Sequence, residues 1–445
     1  MSNDLDTFSA EPGGRLVTSA AITSAWRAAS LPVLLGALCF FSILSSYYML
    51  RPIRAQFAAA AGGSQVMPML YGVVFVCMLV ATPLYGALVS RYPRRVFVPI
   101  VYAFFALCLL GLEPFFSLGL STELSAQIFF VWVSVFSLFV VSVFWSCMSD
   151  VFSELQAKNW FGMIALGGTA GAIAGPALAR AIVQPLGAGA LYTVASCALF
   201  VALGCLLVLF KWSALDKPLI QQRNSGGIGG SIFAGASAVF ANPFLRRMAL
   251  LMLCADAVGT VLAAILSDYS RVAFPERNSG IRFFATIDLA TNCLQLLSQA
   301  FLVRWMLHTL GPGKTIAIPN LLSITVLLSL AVLQVPALIA VALVITRGGG
   351  YGLVAPARES LFTRVSREAR FKAKGFIDTA VWRGGDLLMV SAVAIMVDQG
   401  AGIAAFGVFS AVGALVAVLL AWRIEYLLPA QAQLGDDAQQ SNLKI

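Results

Sequence analysis

The chain has 445 residues, 60% of them hydrophobic and 11% charged, with a mean hydropathy of +0.88. Soluble domains carry about 25% charged residues, so this composition excludes a soluble enzyme. It leaves room for about twelve apolar segments of about twenty residues, the length that crosses a hydrocarbon core about 30 Å thick. The formal charge of +9 gathers in the connections between those segments, which marks it as a topology signal and argues against nucleic acid as a partner.

In chain order, residues 1–30 read as a polar tail that holds Asp4, Asp6 and Glu11. No small-residue cleavage site follows the first span, so a secretory leader is not expected. Apolar spans are expected near 31–55, 66–90, 96–114, 125–148, 161–184, 189–210, 246–268, 281–303, 315–333, 337–357, 375–397 and 402–424. These long runs read as helices rather than as the short alternating strands of a barrel. The longest polar stretch, 211–245, contains the glycine-serine segment 224–231 and reads as a linker between an N-terminal half (31–210) and a C-terminal half (246–424), with a tail at 425–445.

Basic residues concentrate in alternate connections. They are Arg91, Arg94 and Arg95; Lys158; Lys211, Lys217 and Arg223; Arg304 and Lys314; and Arg358, Arg364, Arg367, Arg370, Lys372 and Lys374. The positive-inside rule puts these connections and both tails in the cytoplasm, as for a multi-pass protein of a bacterial inner membrane. All eight cysteines fall within apolar spans without metal-ligand spacing and read as small hydrophobes. No cofactor, metal motif, histidine cluster or nucleophile-base pair is present in the sequence, so enzyme chemistry is not expected.

Charges inside the spans carry the functional argument, because each costs about 2.5–3.5 kcal/mol or more at bilayer depth. Arg51 and Arg54 share a helix face around Pro52, after Tyr47 and Tyr48. The competing reading is that this pair snorkels to the outer interface. Arg347 lies mid-span ahead of Gly348–Gly350, Tyr351 and Gly352, glycines that allow the backbone to unwind or approach a ligand. Asp378, Trp382, Arg383 and Asp386 cluster in the eleventh span, where Arg383 and Asp386 can pair at three-residue spacing. Asp256 and Asp288 are the remaining deep acids, and Asp256, Asp288 and Asp386 are candidates for proton coupling or structural ion pairing. Four guanidiniums with planar forks suit a carboxylate or phosphate better than a cation. The expected substrate is therefore a small organic anion or zwitterion.

Several motifs resemble known families. Gly86-Ala-Leu-Val-Ser-Arg91-Tyr-Pro-Arg94-Arg95 is similar to the cytoplasmic signature of the major facilitator superfamily. That resemblance implies an all-α membrane protein of twelve helices in two six-helix halves, with Gly86, Arg91, Arg94 and Arg95 as a conformational latch. Ser90 and Pro93 stand where that signature has an acid and a glycine. Gly167, Gly168, Gly171, Gly175 and Pro176 in the fifth span resemble an element of superfamily exchangers and also fit plain helix packing.

Three further stretches resemble the nucleotide transporters that exchange ATP for ADP in plastids and intracellular bacteria. They are Tyr48 to Arg54, Phe144 to Gly167, and Tyr351 to Gly385. This likeness implies that Arg54 and Arg383 take the places of two substrate-linked lysines. Two glutamates of that family have no counterpart, since Val133-Ser134 and Ser267-Asp268 stand nearby.

Together these readings predict a monomeric secondary transporter working by alternating access. Its expected substrate-binding residues are Tyr47, Tyr48, Arg51, Arg54, Arg347, Tyr351, Asp378, Trp382 and Arg383. Two alternatives stay open: a proton-coupled exporter of amphipathic compounds, and a scaffold or receptor that kept the fold without transporting.

Overall fold

In the computed structural model the backbone is described for residues 19–92, 94–119, 121–152, 154–216, 232–362, 365, 373–374 and 376–441. Side chains are described within 31–424 except at 83, 85–90, 94, 154–155, 158, 213–216, 232–235, 238 and 379 and at the positions whose backbone is left out. The middle of the expected linker, both tail ends, Lys217, Arg223, Arg364, Arg367, Arg370 and Lys372 therefore lie outside the description, as do the side chains of Gly86, Arg94 and Lys158.

Among the described residues there are helices and no strands. The first four helices are α1 (Ser19–Ala60), α2 (Met67–Arg91), α3 (Arg94–Phe116) and α4 (Thr122–Val151). Glu154–Asp216 is two helices, α5 (154–186) and α6 (188–216), broken at Gly187, whose φ of 78° favours glycine. After a short helix, Ile232–Ala241, comes α7 (Pro243–Ala273). Arg277–Leu297 runs through a π turn, Ser298–Leu302, into Val303–Thr309, together α8. Next are α9 (Gly311–Leu333) and α10, which joins Ala337–Gly349 to Ala355–Phe362 through the π turn Gly350–Val354. The bundle ends with α11 (Ile377–Val381 and Trp382–Asp398) and α12 (Ile403–Ser441).

Nine described segments are long and apolar enough to cross a bilayer, and the one at Asn159–Trp212 contains both α5 and α6. α8 and α11 complete twelve. α8 is less apolar because it carries Arg277, Arg282 and Asp288, and the Trp382–Asp398 stretch of α11 is only 17 residues long. In a bilayer core only a helix or a closed barrel satisfies every backbone N–H and C=O, which is why sequences this apolar fold as helices throughout.

α1 continues past the expected end at residue 55 to Ala60, with Pro52 inside it. Leu50 and Ile53 are fully buried, and their packing holds the helix together across the missing proline N–H. Arg51 and Arg54 thus lie within the membrane helix.

α1 packs along α5. A Cβ at Gly167, Gly171 or Gly175 would run into the carbonyl of Ala37, Phe41 or Ser45. Ser45 Oγ donates to the Gly171 carbonyl at 3.3 Å across the same seam. The glycine stripe is a backbone-to-backbone packing surface, the device that substitutes for hydrophobic driving force in lipid. Gly348 and Gly352 of α10 leave room instead for the side chains of Leu294 and Ser298 of α8. Residues 350–354 widen into a π turn and stay helical.

The two halves meet most closely at the end of the bundle remote from both termini. There Ala58, Ala59, Met67 and Leu70 share an apolar core with Val261, Leu262, Ile265 and Leu266. The Ser64 N–H donates to Asp268 Oδ1 at 2.8 Å and Gln65 Nε2 to Asp398 Oδ1 at 2.9 Å. Arg277 lies 3.8 Å from Glu113, donates to the Tyr192 hydroxyl at 3.2 Å and stacks over Phe57. The Gln56 amide fills the notch left by Gly280. Deeper in, Asn292 Nδ2 donates to the Ala172 carbonyl. Below this level a central cavity separates the halves.

Candidate functional site

The central cavity has a volume of about 490 Å³ and is walled by both halves. Tyr47, Tyr48, Arg51 and Arg54 reach it from α1; Arg347 and Tyr351 from α10; Trp382, Arg383 and Asp386 from α11; and Asp256 from α7. Ten charged or aromatic side chains singled out from the sequence therefore converge on one space. A larger groove of about 970 Å³ lies on the lipid-facing side of α3 and α4 among Ile100, Phe104, Val131 and Phe139. Its lining is almost wholly apolar, which suits acyl chains, and it holds none of the deep charges.

The four arginines are not equivalent. Arg51 forms an ion pair with Asp288 of α8 at 3.5 Å, both side chains 12% exposed, and its guanidinium stacks over Tyr48 at 5.0 Å. Asp288 does not line the central cavity; it faces a small space of about 60 Å³ behind it, which Arg51 also lines. Arg383 lies 3.9 Å from Asp386, a long contact from a side chain 37% exposed.

Arg54 and Arg347 differ from both. Arg54 has only a 3.5 Å contact to Ser134 Oγ and the face of Phe130 at 4.7 Å. The stem of Arg347 crosses Gly259 of α7, where a Cβ would sit 3.6 Å from it. Among the described residues neither has a carboxylate within ion-pairing distance. The snorkelling alternative for Arg51 and Arg54 is not what the structure shows, because both turn inward.

The two acids of the cavity come from α7 and α11, Asp256 one turn before the Gly259 that the Arg347 stem crosses. Thr260, one helical turn after Asp256 on α7, donates its hydroxyl to Asp386 Oδ1 at 2.6 Å. Asp256 lies beside Asp386 and Trp382 in this cluster. This set ties α7 to α11 and leaves the guanidiniums in excess around the cavity: four arginines line it against two aspartates.

Asp378 departs from expectation. It is not part of the cavity lining; its carboxylate faces Arg358 at 3.6 Å. Arg358 also meets Glu359 at 3.0 Å, and Glu359 meets Lys374 at 2.7 Å. These charges staple α10 to the start of α11, and they account for part of the exchanger-like stretch in a structural way. Asp268, near the place of a missing family glutamate, likewise sits outside the cavity, accepting from Ser64 at the far end. Of the expected latch, Arg91 and Arg95 are exposed at the near end, while Gly86 and Arg94 have no described side chains.

Sequence reasoning missed Tyr71, Phe130, Ser137, Thr260, Gln295 and Gln299, which add to the wall, and named Ser134, also in the wall, only as standing near an absent family glutamate. Gln295 and Gln299 carried a readable signal: two amides four residues apart in an apolar span share a face. Gln299 Nε2 donates to the Tyr351 carbonyl at 3.2 Å, beside the π turn of α10. Tyr71 and the α4 serines carried none, because isolated hydroxyls are ordinary in membrane helices and bond back to their own backbone, as Ser134 does to Phe130.

Solved structures with the same architecture include a bacterial homologue of the iron transporter ferroportin in an inward-facing state, at 14% identity and TM-score 0.65, covering 89% of this chain and 98% of that one. The POT family transporter PepTSo matches at 13% identity and TM-score 0.59 over 92% of this chain and 98% of that one. The nucleoside transporter NupG, solved as a point mutant, matches at 15% identity and TM-score 0.56 over 89% and 99%. At these identities the likeness is one of fold. No curated protein matches the sequence. The profile of the Major Facilitator Superfamily matches residues 33–385. With that match spanning most of the chain and a helix bundle to correspond, this protein belongs to the Major Facilitator Superfamily and is a multi-pass membrane transporter rather than an enzyme.

Proposed function

We propose that this protein carries a small organic anion or zwitterion by alternating access. The observation that supports this reading is the placement of Arg54 and Arg347. They come from opposite halves, line one cavity and have no carboxylate within 4 Å among the described residues. Desolvated cations without acids are costly unless a ligand supplies the negative charge. A bidentate oxyanion offers the geometry a guanidinium fork prefers.

A volume of about 490 Å³ lies within the range of about 300–1,000 Å³ usual for sites that take small organic molecules. Tyr47, Tyr48, Tyr71, Tyr351, Phe130 and Trp382 add aromatic faces. With the sequence likeness to ATP/ADP exchangers, this makes a nucleotide or another organic phosphate the first solute to test. NupG, with the same fold, is a nucleoside transporter. Arg54 and Arg347 hold the anion, and Asp256 and Asp386 take any cationic group of a zwitterion.

The positive-inside pattern puts both termini in the cytoplasm of a bacterial inner membrane. The closed far end then faces outward and the cavity empties inward, with the 211–245 linker joining halves that rock as units. The chain works as a monomer. The test is a panel of nucleotides, nucleosides, organic phosphates and amino acids scored for thermal stabilisation of the detergent-purified protein, followed by proteoliposome exchange with the best of them. Stabilisation by amphipathic cations and not by any anion overturns the proposal.

A second reading, proton coupling, is favoured by the contact between Asp256 and Asp386. Two carboxyl groups side by side in a site shielded from water cannot both stay ionised at low cost, which makes this pair the natural place for a transported proton. Uptake that follows an imposed pH gradient in the parent and loses that dependence in Asp256→Asn supports it. Uptake indifferent to the gradient removes it.

A further inference from the structure

Arg51 stands with Arg54, Arg347, Tyr71 and Phe130 in the partition between the central cavity and the far-end closure, all five lining the space on both sides of it. Its partner Asp288 belongs to the other half of the protein and lines only the side toward the closure. Among the described residues this is the one ion pair that joins the halves at the depth of the cavity. Asp288 is 9% exposed. Pro52, next to Arg51, removes an N–H from α1 and so gives the helix a bending point beside the pair.

We propose that Arg51–Asp288 is a ligand-operated bolt on the far-end closure. With the cavity empty, opening the far end pulls α1 from α8 and strands a buried guanidinium, which is strongly unfavourable. An anion held by Arg54 and Arg347 lies within reach of Arg51, which lines the same cavity, and takes the place of Asp288 as its partner. Arg51 then keeps a counter-charge throughout. Asp288, released, regains solvation only when the far end opens to water, so the loaded carrier favours opening and the empty one stays shut. Arg51 is thereby a coupling residue more than a binding residue, and the bolt makes movement of the empty carrier the slow step.

The inference rests on the anion-carrier reading only for what draws the bolt. The bolt itself is testable without any solute. Ser64 is fully buried beneath the closure, so Ser64→Cys reports opening through its labelling by a membrane-impermeant maleimide, measured against the parent chain with its native cysteines. In the absence of solute, Ser64→Cys labels slowly. Adding Asp288→Asn speeds labelling roughly tenfold or more, in the range of ordinary coupling between sites. The exchanged pair Arg51→Asp with Asp288→Arg restores slow labelling.

Labelling of Asp288→Asn as slow as in its parent overturns the bolt. If Asp288→Asn cannot be purified, the exchanged pair decides by itself: slow labelling supports the bolt and fast labelling overturns it. ADP is then added to Ser64→Cys. Faster labelling that vanishes in Asp288→Asn supports an anion as the trigger. No response to ADP, with Asp288→Asn still fast, leaves the bolt standing and counts against a nucleotide as the solute.

Discussion

Replacing Arg54 by glutamine separates binding from folding, because its surroundings in the empty protein are so sparse. The guanidinium contributes one long contact to Ser134 at 3.5 Å and stacking on Phe130 at 4.7 Å. Their loss costs about 0.5–2 kcal/mol, partly offset because a desolvated cation without a carboxylate is removed. The melting temperature of Arg54→Gln therefore stays within a few degrees of the parent. In the loaded state the same side chain makes charge-assisted hydrogen bonds worth about 1.5–3 kcal/mol. At about 1.4 kcal/mol per tenfold, their loss weakens solute binding roughly 10- to 150-fold.

The assay is initial-rate uptake into proteoliposomes across a range of solute concentrations, with a thermal melt of the same preparation. The expected pattern is a large rise in KM with an unshifted melt. Unchanged uptake in both Arg54→Gln and Arg347→Gln refutes the assignment of the site. A collapse of the melt in Arg54→Gln refutes the claim that the residue is structurally idle.

Three further outcomes follow from the packing. Gly280→Leu removes the notch that holds the Gln56 amide, so the far end cannot close as seen, and Ser64→Cys in that background labels several-fold faster than in the parent. Gly171→Ala drives a methyl group into the Phe41 carbonyl; separating α1 from α5 costs about 1–3 kcal/mol, read as a lowered melting temperature, whereas Gly204→Ala, with nothing near its side-chain position, leaves the melt unchanged. Thr260→Val removes the donor 2.6 Å from Asp386 and leaves that buried carboxyl short of a partner, destabilising the protein by about 1–3 kcal/mol, while Thr260→Ser retains the bond and the stability.

Much of this architecture is legible along the chain. Twelve spans, the glycine seam of α5 and the unusual charges of α1, α10 and α11 all show in local patterns, because a bilayer demands long apolar helices and makes every buried charge conspicuous. Those patterns locate Arg51, Arg54, Arg347 and Arg383 at cavity depth without saying what each one faces. Only the assembled bundle sets Asp288 against Arg51, Asp378 against Arg358 and Asp268 against Ser64, leaving Arg54 and Arg347 without carboxylates among the described residues.

The same holds for Tyr71, Gln295 and Thr260, polar groups that matter because three helices turn them toward one space. Periodicity records which face of a helix a residue occupies and nothing about the neighbour across the gap. Pairing between halves depends on how two separate surfaces pack, and that is settled by shape and desolvation over the whole interface. So the sequence alone determined that this is a helical membrane protein with too many arginines in its interior. The tertiary structure decided which of them are already spoken for.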